Sequence, residues 1–169
     1  MLIGLISDTH IPYDAEKLPE KLGQIFRGVD LILHGGDIYK TSVLDELSTI
    51  APVFAARGDD DVGSIIQDKR VKEEHIFTVE GQVIWLIHIY RYNDWSTYEI
   101  KGKEFWHRPE PPPDVLVYGH THKAAMAQSG PVLKITPGSA TFPNYQRESG
   151  TVGLLSIKTG KAKGQIIQL

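Results

Sequence analysis

The sequence predicts an α/β fold in which two packed mixed β-sheets are flanked by helices. Three observations lead to this prediction. The first third of the chain alternates short apolar runs with segments of helical periodicity, which indicates parallel strands joined by helical crossovers. The second half contains closely spaced strand-like runs, two of them joined by a hairpin signal at residues 80–82. The length of 169 residues suits one domain, residues 1–169, with a full core.

The predicted elements of the first third follow from periodicity and from helix start and stop signals. Strands are predicted over three short apolar runs that end at a glycine or a turn: 2–7, 30–34 and 53–57. One helix is predicted from Pro19, because proline suits the first helical position. A second helix is predicted over 41–50, with Pro52 stopping it.

The remaining elements are mostly strands. A short helix is expected at 62–67, and residues 94–105 are weakly helical. Residues 109–113 are rich in proline and predict a stiff extended connector. Further strands are predicted at 76–79, 83–88, 114–118, 123–128, 131–136, 151–157 and 161–168.

Composition excludes several classes of function. The net charge is −3 and no basic block of five residues occurs, which disfavours a broad nucleic-acid interface. The chain has no cysteine, so any metal must be held by His, Asp, Glu or Asn. The first ten residues lack a basic segment and predict a strand rather than a signal peptide, and no apolar run is long enough to span a membrane. We therefore expect a cytoplasmic protein.

Five of the predicted strands are followed by carboxylates or imidazoles. These residues are Asp8, His10, His34, Asp37, Asp59, His88, His120 and His122. Each one alone is a weak signal, because an aspartate after a strand is often a turn or cap residue. If the strands lie side by side, however, their carboxyl ends place oxygen and imidazole donors on one rim. Such a rim predicts a metal-dependent hydrolase.

Together with their neighbours, these residues form an ordered series of motifs: Asp8-Thr9-His10, Gly36-Asp37, Gly58-Asp59-Asp60-Asp61, His88, Gly119-His120-Thr121-His122 and Pro137-Gly138-Ser139. In their order and spacing, these motifs closely resemble those of the calcineurin-like metallophosphoesterase superfamily, in particular its small single-domain phosphodiesterases. The resemblance covers nearly the whole chain. It implies a four-layer α-β-β-α architecture and a metal-dependent phosphoesterase, more specifically a phosphodiesterase that hydrolyses small phosphodiesters.

The resemblance also implies a dinuclear metal site with a bridging hydroxide. One ion would be bound by Asp8, His10, Asp37 and His122, and the other by Asp37, Asp59, His88 and His120, with Asp37 bridging the two. Imidazole with carboxylate favours manganese, with nickel, iron, zinc or magnesium as alternatives. The candidate catalytic residues are Asp37, Asp59, Asp60 and His120.

The first departure from the family pattern lies after the third strand. Asp59 stands where the family usually has asparagine, which adds a negative charge and removes an amide donor for the substrate phosphate. Asp60 stands where larger members have a histidine that protonates the leaving group. Asp60 serves that role only if its pKa is raised. The alternative is that Asp60 and Asp61 are turn and cap residues before the helix at 62–67.

The second departure follows His88, where residues 89–92 replace the glycine common in the family. Either this loop simply covers the site, or Arg91 or a neighbouring tyrosine contacts the substrate, because a guanidinium matches phosphate geometry. Arg57 has the same two interpretations. His34 is expected to orient a metal ligand through a hydrogen bond.

The sequence leaves a second function open. A scaffold subunit of the eukaryotic retromer coat has the same small fold, has lost some ligands and binds protein partners. The alternative is therefore a catalytically weak or inactive scaffold. Because this chain keeps every acidic and imidazole ligand, the enzyme is favoured, with a small phosphoester as its substrate. The apolar segment 95–113 is a candidate homodimer contact.

Overall fold

The computed structural model describes residues 1–90, 111–146 and 149–169. Within these ranges the strands, in chain order, are β1 (Leu2–Ile6), β2 (Leu31–His34), β3 (Val53–Ala56), β4 (Val71–Lys72), β5 (Glu74–Val79), β6 (Gln82–Ile87), β7 (Val115–Val117), β8 (Ala125–Ser129), β9 (Val132–Thr136), β10 (Thr151–Lys158) and β11 (Lys161–Gln168). The α-helices of these ranges are α1 (Leu22–Ile25) and α2 (Thr41–Ser48). The described part of the chain holds no helix long and apolar enough to cross a lipid bilayer.

The strands form two mixed sheets, as predicted. The six-stranded sheet has the order β11-β10-β1-β2-β3-β4, and the five-stranded sheet has the order β5-β6-β7-β9-β8. In the first sheet β1 to β4 are parallel, while β10 and β11 form an antiparallel hairpin that pairs with β1. In the second sheet β6, β7 and β9 are parallel and the two outer strands are antiparallel. Within each sheet the parallel strands therefore bring their carboxyl ends to one rim.

The sheets pack face to face through aliphatic side chains. Leu5 and Leu33 from the first sheet lie in one buried cluster with Ile84 and Val115 from the second. These strands are short and apolar because side chains on both of their faces are buried. The outer face of the first sheet is covered by α1 and α2, whose buried side chains include Leu22 and Leu44, among others. Burial of apolar surface on both sides of this sheet fixes the loops at its rim.

Several element boundaries differ from the prediction. At 62–67 the structure has only a 3₁₀ turn, Ile65–Gln67, and Gly63 just before it has a left-handed backbone (φ 72°) that is incompatible with an α-helix. Helix α1 begins at Leu22 rather than at Pro19, and it is one turn long. The segment 94–105, predicted to be weakly helical, lies outside the described residues.

Candidate metal centre

Loops from both sheets place the polar residues of the sequence motifs at one rim. Asp8 and His10 follow β1, Asp37 follows β2 and Asp59 follows β3, while the imidazoles of His88, His120 and His122 follow β6 and β7. The backbones of these loops approach closely. A Cβ atom added to Gly119 would lie only 2.6 Å from the carbonyl oxygen of Gly35. Glycine is therefore required where the two sheets meet.

The structure gathers these side chains into two clusters. The first cluster is Asp8, His10, Asp37 and His122, and the second cluster is Asp37, Asp59, His88 and His120. Within each cluster one potential ligand atom of every residue lies within 4.8 Å of the others. Asp37 belongs to both clusters, so its carboxylate lies between them. The two clusters comprise the seven residues that the sequence motifs predict as metal ligands.

The loops reach this geometry through unusual backbone conformations. Five non-glycine residues of the clusters have positive φ angles: Asp8, His10, Asp37, His120 and His122. Such conformations cost free energy and persist only where the surroundings enforce them. Here the backbone N–H of Asp8 donates to the Gly36 carbonyl at 3.0 Å, and the hydroxyl of the fully buried Ser139 donates to the Asp8 carbonyl at 2.6 Å. Strained backbone at a polar rim is typical of a functional site.

Hydrogen bonds to backbone carbonyls fix the tautomers of two histidines. Nδ1 of His88 lies 2.6 Å from the carbonyl oxygen of Gly35, and Nδ1 of His122 lies 2.8 Å from that of Phe142. Because a carbonyl oxygen only accepts, both Nδ1 atoms must carry the proton. Nε2 then faces the clusters, 3.4 Å from an Asp37 oxygen for His88 and 3.8 Å from an Asp8 oxygen for His122. This is the orientation that metal-binding histidines adopt.

The first cluster contains buried polar atoms that the described residues leave without a hydrogen bond. Oδ2 of Asp8 and Nε2 of His10 are buried and have no hydrogen-bond partner among the described residues. Leaving such atoms unpaired costs free energy, and native structures rarely do so without a reason. Burial also raises the pKa of Asp8, with partial compensation from the nearby His88. The donor set of the first cluster therefore fits a divalent cation.

Asp37 dominates the electrostatics of the centre. Burial alone would raise the pKa of Asp37, but contact with the imidazoles of His10 and His88 holds it well below its usual value. Burial alone would also lower the pKa of His88, whereas the adjacent Asp37 carboxylate raises it to about 9. Asp37 is therefore an anionic carboxylate at the centre of the site.

The second cluster is open to solvent on one side. The side chains of Asp59 and His120 are 48% and 45% exposed, whereas that of His88 is almost fully buried. Oδ1 of Asp59 lies 2.8 Å from Nε2 of His88 and 3.2 Å from Nδ1 of His120. A ligand entering the site would therefore reach the side of Asp59 and His120 first.

Asp61 does close a turn, since its backbone N–H donates to the Gly58 carbonyl at 3.3 Å, but the expected role as cap of a helix at 62–67 is wrong because only a 3₁₀ turn forms there. Its side chain is fully buried, and its two oxygens accept four backbone N–H groups. Oδ1 accepts from Ile38 at 2.7 Å and Tyr39 at 2.9 Å, and Oδ2 accepts from Asp37 at 3.1 Å and Gly58 at 2.8 Å. Asp61 thus ties the loop that carries Asp37 to the loop that carries Asp59. No sequence signal identified this role, because three of its partners lie in a distant loop.

Asp60 and His34 contact the loops of the centre. The backbone N–H of Asp60 donates to an Asp37 oxygen at 3.1 Å, and its carboxylate accepts from the Tyr39 hydroxyl at 3.2 Å. His34 is fully buried. Its Nδ1 accepts from the Gly36 N–H at 3.1 Å, and its Nε2 lies 3.2 Å from the Thr9 hydroxyl. Burial lowers the pKa of His34 to about 3, so this imidazole is neutral.

The sequence offers two arginines, Arg57 and Arg91, as candidate substrate contacts. Arg57 forms an ion pair at 2.7 Å with Glu73, and both side chains are exposed. Arg91 lies outside the described residues, as do nearly all positions of the predicted homodimer contact at 95–113. The structure instead shows an aromatic neighbour that the sequence did not indicate. The Tyr145 ring stacks on the His122 imidazole with 4.3 Å between ring centres, and its hydroxyl donates to the His120 carbonyl.

The comparison with protein families and the comparison with known relatives agree with each other. A family model described as the calcineurin-like phosphoesterase superfamily domain matches residues 1–160. Over 170 aligned residues the chain is 36% identical to a protein of Methanothermobacter thermautotrophicus named "probable metallophosphoesterase", covering 99% of this chain and 92% of the relative.

Solved structures of similar proteins share the fold. One is Vps29 from Entamoeba histolytica complexed with zinc, with a TM-score of 0.72 and 24% identity over 99% of both chains. Another is an archaeal protein described as a novel phosphodiesterase, with a TM-score of 0.69 and 21% identity over 99% of this chain and 100% of the other. At these identities the likeness shows the architecture, two mixed sheets with few helices.

Proposed function

Because this chain belongs to the calcineurin-like phosphoesterase superfamily, we propose that it is a phosphodiesterase that acts on small phosphodiesters through a dinuclear metal centre. The observation that carries the proposal is the pair of four-residue clusters that share Asp37. Two divalent cations a few ångströms apart repel each other, and a shared anionic carboxylate offsets that repulsion. The similarity to an archaeal phosphodiesterase supports a diester rather than a monoester as the substrate.

Each cluster would hold one ion. The first cluster offers two carboxylates and two imidazoles that are all buried, and the second offers the same donor types with one side open. This mixture favours manganese, with nickel, iron, zinc or magnesium as alternatives. Bound there, two divalent ions would supply Lewis acidity, which lowers the pKa of a water molecule and offsets negative charge on the phosphoryl oxygens during an in-line displacement.

The chain's own residues would prepare the site for that chemistry. His88 must bind as a neutral ring, so the proton that Asp37 holds on its Nε2 leaves when metal binds. A phosphodiester would enter beside Asp59 and His120, whose side chains reach the surface. In this arrangement Asp37 would hold both ions, and His120 would be the exposed imidazole on the side where the substrate enters. Because each cluster takes residues from both sheets, we also propose that residues 1–169 act as one domain.

A phosphoester screen with several metals tests the proposal. The purified metal-free protein would be loaded with manganese, nickel, iron, zinc or magnesium and assayed with an aryl phosphodiester and the matching monoester. We expect metal-dependent hydrolysis, fastest on the diester and with manganese, and no hydrolysis by Asp37→Asn. Absence of turnover with every metal, while two ions are bound, would refute the enzyme and favour a scaffold that binds protein partners.

A further inference from the structure

A chain of hydrogen bonds leads from the first cluster to Asp60 through Tyr39. Nδ1 of His10 lies 2.9 Å from the Tyr39 hydroxyl, and this hydroxyl lies 3.2 Å from Oδ2 of Asp60. The rings of His10 and Tyr39 also meet edge to face, with 5.0 Å between their centres. Tyr39 itself is held by its backbone, whose N–H donates to the buried carboxylate of Asp61 at 2.9 Å. The phenol therefore has a fixed position beside the imidazole.

The positions of the protons in these hydrogen bonds follow from Asp60, which accepts the hydrogen bond of the Tyr39 hydroxyl. The Tyr39 hydroxyl donates to Oδ2 of Asp60, so its oxygen is available to accept a hydrogen bond from Nδ1 of His10. With the proton on Nδ1, the neutral ring of His10 has its lone pair on Nε2. That nitrogen is buried, has no hydrogen-bond partner among the described residues and lies 3.4 Å from an Asp37 oxygen. The chain thus gives His10 the tautomer that a metal ligand of the first cluster requires.

His10 differs in this respect from the other two buried histidines of the clusters. His88 and His122 donate their Nδ1 protons to backbone carbonyls, which no substitution removes. His10 depends on a side chain, so its orientation is open to mutation. The nearby Tyr13 provides a comparison, because its ring also packs on Tyr39 but is 80% exposed.

We propose that Tyr39 is a positioning residue that fixes the tautomer and ring orientation of His10. Asp60 supports it by accepting the hydrogen bond of the Tyr39 hydroxyl, which holds that hydroxyl in place. The inference rests on the proposed function in so far as His10 is a metal ligand. It assigns Asp60 a role different from that of a proton donor to the leaving group. Partners of this kind typically change metal affinity by about 10- to 100-fold when they are removed.

The test compares Tyr39→Phe with the matched control Tyr13→Phe, each of which removes one phenol hydroxyl. Nitrogen NMR of the metal-free protein at alkaline pH, where the imidazoles are neutral, reports the His10 tautomer. Manganese titration reports the affinity for each ion. For Tyr39→Phe we expect loss of the pure Nδ1–H tautomer and at least about tenfold weaker binding of one ion, with the other ion little changed. Tyr13→Phe should match the wild type in both measurements.

A second variant, Asp60→Ala, keeps the inference testable if Tyr39→Phe does not fold. It should shift the His10 tautomer in the same direction to a smaller extent. An unchanged His10 tautomer in the folded variants, or equal weakening of metal binding by Tyr13→Phe, would overturn the inference. The NMR measurement needs neither metal nor turnover. If the wild type binds no ions, the proposed function fails while the tautomer result still decides the role of Tyr39.

Discussion

Replacing Asp61 by asparagine removes half of the acceptor capacity of a fully buried carboxylate. The carboxylate accepts four backbone N–H groups, whereas the asparagine side chain has one carbonyl oxygen and an NH₂ group that faces two of these donors. A hydrogen bond to a charged group contributes about 1.5–3 kcal/mol. The loss of two such bonds should therefore destabilise the protein by about 3–6 kcal/mol, a large part of the about 5–15 kcal/mol typical of a domain.

Urea unfolding of the metal-free protein measures this loss. Asp114→Asn is the matched control, because among the described residues Oδ2 of Asp114 accepts one backbone N–H, from Val83 at 2.8 Å, and an amide oxygen can replace it. The control should cost no more than about 1 kcal/mol. If Asp61→Asn were no more destabilising than Asp114→Asn, the interpretation of Asp61 as the tie between the two loops would be refuted.

Three further predictions concern the centre. Asp37→Asn should lose both ions by elemental analysis, whereas His10→Ala should keep the ion of the second cluster; equal losses would contradict the division into two clusters. Asp59→Asn should retain both ions and lower the KM for a phosphodiester by about fivefold, since the amide can donate one hydrogen bond of about 1 kcal/mol to phosphate; an unchanged KM would show that the carboxylate is a neutral replacement. The metal-free protein should lose stability as the pH falls from 6.5 towards 3, because the buried His34 stays neutral in the folded state while the unfolded chain takes up a proton. His34→Gln should reduce this pH dependence of the free energy of unfolding, measured by urea titration. The same dependence in the variant and the wild type would argue against a His34 that stays neutral in the folded protein.

The central strands of both sheets, such as β1, β2 and β7, were predictable because each is a continuous apolar run that ends at a turn. The same property placed Asp8, Asp37 and His88, since each follows such a run within three residues. Strand β4 was missed, because two residues are too short for any periodicity to appear. The expected helix at 62–67 failed because Gly63 adopts a left-handed backbone there.

The supporting contacts of the centre were harder to predict for a different reason. Asp61 and Tyr39 act on groups that are distant in sequence, and nothing in their local surroundings distinguishes them from turn residues. Their roles appear only when the loops after β2 and β3 meet. Sequence motifs thus indicated the candidate ligands, while the hydrogen bonds that orient those ligands required the folded arrangement.

A crystal structure of the manganese-loaded protein, with anomalous diffraction measured at the manganese edge, tests the central claim most directly. The expected result is two anomalous peaks, one in the first cluster and one in the second cluster, with the Asp37 carboxylate between them. A single peak, or two peaks that do not share Asp37, would contradict the dinuclear centre.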